Sequence, residues 1–255
     1  VDEVLATEAA RLGLNLSDRK RDLMRLHYDE MLVWNERVNL TSITAPNAAA
    51  VRHFADSLAV AAALEQTGFA ARLAGERAMD VGSGGGFPGL PLKVYYPDLR
   101  VVCLDSVGKK TAFIQHMADL YTERELSGTF VITGRAEDVA HQPQQRANYL
   151  LVVSRAVASL AVLAEYCLPF LKVGGVLAAP KKGLALATEL SEARPALKKL
   201  GAGKVEIYDF TLPLIAEEDL VSDEREERQV VLIHKQSTTP PQYPRQAGTP
   251  SRKPL

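Results

Sequence analysis

The sequence predicts an α/β protein: a Rossmann-like, mostly parallel sheet of seven strands, one of them antiparallel, behind an N-terminal helical extension. Three observations carry this. Seven short apolar runs occupy residues 78–81, 101–105, 130–133, 149–153, 176–179, 205–210 and 229–234, and amphipathic stretches at 90–96, 109–121, 159–171 and 184–200 separate the first several. Strand–helix alternation of this kind places helices on both faces of a parallel sheet, which is why the runs are apolar throughout rather than alternating. A glycine cluster follows directly on the first run, where such sheets bind ligands. The last two runs are joined by a loop without helical periodicity, as an antiparallel hairpin near a sheet edge would be.

Ahead of the sheet, Leu12, Leu16, Leu23, Leu26, Met31 and Trp34 recur at helical spacing between charged residues, and Ser17 stands where a helix cap belongs. Asn39-Leu40-Thr41-Ser42 interrupts the period, and Pro46-Asn47 opens a helix expected to run through Leu64. The expected division is a helical extension over 1–70, a catalytic domain over 71–235 and a tail over 236–255. That tail holds Pro240, Pro241, Pro244, Pro250 and Pro254 with Arg245, Arg252 and Lys253 and no acids. It should be extended and builds no core by itself. Two readings stand for it, an unpacked terminus or a basic arm on a phosphate backbone.

A formal net charge of -1 excludes binding driven by bulk positive charge but leaves room for a local basic surface. Cys103 and Cys167 lie inside apolar runs; they form neither a disulfide framework nor a zinc site, and no metal is expected. The chain opens on acidic, alternating residues without a signal core, and it holds no apolar run long enough to span a membrane, so a cytoplasmic protein is expected.

In Asp80-Val81-Gly82-Ser83-Gly84-Gly85-Gly86 the glycines allow a sharp turn and close backbone approach to a ligand. Gly84-Gly85-Gly86-Phe87-Pro88-Gly89 also satisfies the dinucleotide pattern G-x-G-x-x-G. That pattern would begin late after the strand, and Asp80 would sit close to an anionic pyrophosphate. S-adenosylmethionine carries a positive sulfonium and amine instead, so a carboxylate there is an asset. Asp105 ends the next strand and is placed to accept ribose hydroxyls, a device shared with NAD enzymes. Gly134-Arg135-Ala136-Glu137-Asp138 follows the third strand, where such folds contact an adenine. The implied ligand is S-adenosylmethionine and the fold class that of the class I methyltransferases.

After the fourth strand stands Val153-Ser154-Arg155-Ala156, with no Pro-Pro-aromatic motif and no reactive cysteine. This disfavours methylation of an exocyclic amine or a pyrimidine carbon. Arg155 suits an anion or a ring-acceptor edge. A ring nitrogen with a free lone pair, such as N7 of guanine, needs no general base, and positioning would supply most of the catalysis.

Val38-Asn39-Leu40-Thr41, Arg52-His53-Phe54-Ala55-Asp56-Ser57, the run from Asp80 to Gly89, and Leu104-Asp105-Ser106-Val107-Gly108-Lys109-Lys110 resemble the bacterial glucose-inhibited division protein B family. So do Gly134-Arg135-Ala136-Glu137, Ser154-Arg155-Ala156 and Tyr243-Pro244-Arg245-Gln246-Ala247-Gly248-Thr249-Pro250. Several unlinked motifs in one order make the resemblance specific. It implies a guanine-N7 methyltransferase acting on one nucleotide of 16S rRNA in the decoding region, with the rRNA or the small ribosomal subunit as partner. On that basis Gly82, Phe87, Ala136, Glu137 and Arg155, with Asp80, Gly84 and Gly86 of the turn, form the cofactor site. Asp105 and Ser106 lie near the ribose, and Asn39 and His53, with Arg155, near the reacting guanine. In Ala179-Pro180-Lys181-Lys182-Gly183 the chain carries an extra Pro-Lys before Lys-Gly, and Lys182 is the better match.

His53 taken by itself reads as a surface or capping residue. Arg52, Lys109, Lys110, Arg135, Lys182 and Arg245 form an RNA-binding surface only if their loops converge; singly, each is a solvated cation. The rival readings are a small-molecule methyltransferase of the same fold, a cofactor-binding protein without activity, and an NAD oxidoreductase. A monomer is favoured.

Overall fold

The computed structural model describes residues 1–155, 158–182 and 186–255. Ala156, next to Arg155, and Gly183 and Leu184, at the start expected for the 184–200 helix, lie outside the described residues.

Among the described residues seven strands form: β1 (Arg77–Val81), β2 (Arg100–Asp105), β3 (Thr129–Thr133), β4 (Tyr149–Val153), β5 (Leu171–Lys182), β6 (Ala202–Ile215) and β7 (Val221–Lys235). They form one sheet in the order β3-β2-β1-β4-β5-β7-β6. The first five are parallel, and β7 runs antiparallel to both β5 and β6, as expected for a hairpin at one edge. Successive residues of the central strands feed opposite cores. Ala78, Val101, Val176 and Val230 face one apolar cluster, while Met79, Val102, Leu177 and Val231 face the other. That period of two explains why both faces of each strand are apolar. Cys103 and Cys167 are fully buried thiols in these cores.

Helices α1 (Asp2–Arg11) and α2 (Asp18–Asn35) precede the sheet, and Ser17 Oγ accepts from Lys20 N at 3.4 Å to cap α2. Asn35 then shapes the following loop: Oδ1 accepts from Leu40 N and Thr41 N at 2.8 and 3.0 Å, and Nδ2 donates to the Thr41 carbonyl at 2.9 Å. The helix expected over 46–64 is not uniform. It begins as α3 (Pro46–Ala49), widens to a π-helix over Ala50–Ala55, and continues as α4 (Asp56–Gln66). A π segment inside an α-helix costs hydrogen-bond geometry and occurs mostly at functional sites. Here it carries Arg52 and His53, whose carbonyls accept from a distant arginine.

The crossover helices are α5 (Gly89–Tyr95), α6 (Gly108–Glu123), α7 (Ala136–Val139), α8 (Leu160–Cys167) and α9 (Leu186–Lys199). The hairpin strands β6 and β7 run well past the apolar cores that mark them in sequence. The segment from Ser222 to Arg228 lacks apolar alternation, and two of its side chains form ion pairs with the helical extension. Arg225 Nη2 meets the buried Glu8 at 2.7 Å, and Arg228 Nη2 meets Asp56 at 2.9 Å. Asp219, at the hairpin tip, accepts from Asn47 N and Ala48 N at 2.7 and 2.8 Å, capping α3.

The tail corrects the first sequence-based reading: it is packed on the domain, with Arg252 and Lys253 left exposed. Arg146 donates to the carbonyls of Thr239, Pro240 and Tyr243 at 2.8 to 3.0 Å, and His141 Nε2 to that of Pro244 at 2.8 Å. Gly248 N donates to Glu137 at 2.9 Å, and a last turn, α10 (Thr249–Arg252), closes the chain beside α8. These partners replace the core that the tail cannot build itself.

Candidate active site

The glycine-rich turn leaves β1 and rests on β2: Gly82 N and Ser83 N both donate to the Leu104 carbonyl, at 2.8 and 3.1 Å. Two glycines in it are sterically required. Gly86 has φ +90°, and a Cβ there would lie 2.5 Å from Leu90 Cδ1. At Gly89 a Cβ would stand 2.7 Å from Asp80 Oδ2, because Gly89 N donates to that oxygen at 2.8 Å. The last glycine of the formal dinucleotide pattern is therefore there for the carboxylate and not for a pyrophosphate.

Asp80 is fully buried, and its Oδ1 has no hydrogen-bond partner among the described residues. Burial pushes its carboxyl up to about 7, against the opposing pull of Gly89 N–H and Arg155. The sign follows directly. Between about 3.8 and about 7 the folded protein keeps a proton that the unfolded chain releases, so this group costs stability as pH rises through that window and no more above it. Unfolding midpoints measured from pH 4 to 8 should fall relative to those of Asp80→Asn across the window, and the difference should level off above about 7. Parallel pH profiles for the two proteins would remove Asp80 as the source.

Asp105 ties the turn to the next loop, Oδ2 accepting from Gly84 N and Oδ1 from Val107 N, both at 2.9 Å. Each oxygen keeps a second lone pair for a ligand hydroxyl. Beside it opens a cleft of about 480 Å³, lined by Gly82, Asp105, Ser106, Ala136, Glu137 and Arg155 among others. Lys110 and Arg135 lie at its border, as do Tyr166 and Ser251, the latter from the tail. Glu137 is buried, and its Oε1 takes Gly248 N and Arg135 Nη2 at 2.9 and 3.2 Å.

Arg155 also lines a second cavity, of about 550 Å³, with Ile43, Arg52, His53, Asp56, Lys182 and Arg228. Its Nη1 donates to the carbonyls of Arg52 and His53 at 2.9 and 3.3 Å and to Asp56 at 3.1 Å. The other Asp56 oxygen takes Arg228 at 2.9 Å, so one buried carboxylate holds two guanidiniums. Arg155 further lies 5.3 Å from the centre of the Phe87 ring. His53 stacks on that ring at 4.7 Å and meets Thr41 Oγ1 through Nε2 at 3.0 Å. Burial first, then the charge of Arg155, lowers the His53 pKa to about 4, so the imidazole is neutral at physiological pH.

Gly82, Asp105, Ser106, Ala136, Glu137 and Arg155 thus converge on one cleft, with Asp80, Gly84, Gly86 and Phe87 forming the turn behind it. Arg52, His53 and Lys182 converge on the other. Asn39 is exposed and lines neither cavity. Lys109 is exposed at the start of α6, while Lys181 lines the second cavity beside Lys182 and pairs with Glu189 at 2.7 Å. Arg245 is the clear departure. It grips the buried Glu165 through N, Nε and Nη2 at 2.8, 2.9 and 2.7 Å, so it serves the tail rather than a phosphate. Sequence reasoning gave no role to Asp56, Arg228 or His27. Asp56 stands in the 52–57 motif, but Arg228 and His27 carry no local signal.

The family model for rRNA small subunit methyltransferase G matches residues 20–215. The chain belongs to this family. Proteins named ribosomal RNA small subunit methyltransferase G align along nearly its whole length. That of Roseiflexus sp. (strain RS-1) is 40% identical and covers 99% of both chains. That of Roseiflexus castenholzii is 40% identical over 100% of both, and that of Halalkalibacterium halodurans 40% over 95% of this chain and 94% of its own. The fold is that of the class I methyltransferases, and the cofactor is S-adenosylmethionine. The residues present fit it: the carboxylates of Asp105 and Glu137 line the cleft and suit a cationic, hydroxyl-bearing ligand, and behind them the buried Asp80 keeps an unpartnered Oδ1. Among the described residues no helix is long and apolar enough to cross a membrane.

Proposed function

We propose that this methyltransferase acts on N7 of one guanine in the decoding region of 16S rRNA, as free RNA or within the small ribosomal subunit. The observation that carries this reading is Arg155, a single cation shared by the cofactor cleft and by a neighbouring basic cavity. When bound, S-adenosylmethionine supplies the methyl group. Asp80, Asp105, Ser106, Ala136 and Glu137 hold it, with Gly82, Gly84, Gly86 and Phe87 shaping the turn beneath. His53 and Arg155 orient the acceptor from the other side. The neutral, hydrogen-bonded His53 is a poor proton acceptor, which suits N7, since its lone pair attacks without loss of a proton.

Asn39 stays a candidate for the acceptor side, on the loop that Asn35 shapes. Arg52 and Lys182 at the second cavity, with Lys110 and Arg135 at the first and Lys109 exposed next to Lys110, supply the phosphate contacts. In this reading residues 71–235 carry the chemistry, while 1–70 and 236–255 complete the two cavities from either side. The protein works as a cytoplasmic monomer.

Incubation with labelled S-adenosylmethionine and either free 16S rRNA or 30S subunits should place label at a guanine N7. RNA retention should fall steeply with salt, each displaced phosphate contact steepening the slope. Absence of label at N7 on both substrates would overturn the assignment, and salt-independent binding would favour a small-molecule acceptor.

A further inference from the structure

His27 belongs to α2, ahead of the sheet, yet its ring is fully buried against the glycine-rich turn. Nε2 lies 2.7 Å from the carbonyl oxygen of Gly85. A carbonyl only accepts, so Nε2 carries the proton and donates. Burial lowers the ring's pKa to about 3, which leaves Nδ1 a bare acceptor, and that nitrogen has no hydrogen-bond partner among the described residues. As packing this is an expensive residue, since phenylalanine would fill the space without an orphaned nitrogen. What phenylalanine lacks is the N–H that satisfies Gly85.

The ring also stacks on Phe87 at 4.5 Å and 15°, and the edge of Phe54 meets it at 5.5 Å. Phe87 in turn carries His53 by stacking and Arg155 by its charge. One side chain of the helical extension therefore touches both the backbone of the turn and the ring that supports the central cation. A Cβ at Gly86 would come within 3.3 Å of His27 Cε1, so ring and turn are fitted to each other.

We propose that His27 is a positioning residue for cofactor binding: its hydrogen bond to Gly85 and its stack on Phe87 hold the glycine-rich turn in the form that receives S-adenosylmethionine. This rests on the assignment of the turn to that cofactor. Three variants of the full chain test it: His27→Phe, His27→Gln and Met24→Ala, the last a fully buried neighbour on the same helix. The readouts are cofactor Kd by calorimetry, Tm, and amide exchange of residues 84–87 in the unliganded protein.

His27→Phe should raise Kd about tenfold and speed exchange in the turn, the effect of leaving a buried carbonyl unpaired. His27→Gln presents an N–H to the same carbonyl and should recover most of the affinity. Met24→Ala should lower Tm through its cavity while Kd stays at the wild-type value. A His27→Phe protein binding within twofold of wild type would reduce His27 to packing. So would glutamine that rescues nothing, or a Met24→Ala protein that loses affinity along with Tm. Wild-type protein without measurable cofactor affinity would instead overturn the assignment of the turn itself, a result distinct from these.

Discussion

Arg155→Ala should lower methyl transfer to rRNA by roughly 100-fold or more and weaken cofactor binding at the same time. Among the described residues the guanidinium makes three hydrogen bonds, one of them to the buried carboxylate of Asp56, and it lines both cavities. Charge-assisted bonds of this kind contribute about 1.5–3 kcal/mol each, and one factor of ten in rate corresponds to about 1.4 kcal/mol. The loss is compounded because Asp56 is left with Arg228 as its only ionic partner among the described residues. Arg155→Lys keeps the charge but is shorter and lacks the flat guanidinium that lies by the Phe87 ring; recovery should be partial. Single-turnover transfer and calorimetry separate the two effects. Affinity and rate both within twofold of wild type would remove Arg155 from the site.

Arg245→Ala should destabilise the fold by about 3–5 kcal/mol, the usual result of stripping one partner from a buried ion pair. Glu165 is fully buried, and Arg245 supplies two of its side-chain donors and one backbone N–H. At this chain length the loss corresponds to a fall in Tm of roughly 10 °C. The tail beyond residue 240 should become open to limited proteolysis. Glu165→Gln combined with Arg245→Ala should recover part of the loss, because no charge is then left without a partner. The salt dependence of RNA retention should not change, which separates a tail anchor from a phosphate contact. A variant with wild-type Tm and a shallower salt slope would restore Arg245 to the RNA surface.

The hairpin shows where legibility ended. Its apolar centres at 205–210 and 229–234 were readable because they face the shared cores. The flanks were not, because residues 223–228 are charged and the partners of Arg225 and Arg228 sit in helices far back in the chain. The helix over 46–64 was readable as helix, but its π segment was not: nothing in Ala50-Val51-Arg52-His53 marks the register change that turns carbonyls toward Arg155.

What the sequence determined by itself was the sheet, the turn, the acids at Asp80 and Asp105, and through them the nature of the cofactor. Those features are local: hydrophobic period, backbone freedom at glycine and the short spacing from strand end to acid act over a few residues. Tertiary structure decided which charges meet. Arg155 finds Asp56 across 99 residues, Arg228 finds it across 172, His27 reaches Gly85 across 58 and Arg245 reaches Glu165 across 80. Such pairs are selected by how the elements close on one another in space. No stretch of sequence around either partner encodes the other, and a cation destined for a buried carboxylate is written like one destined for solvent.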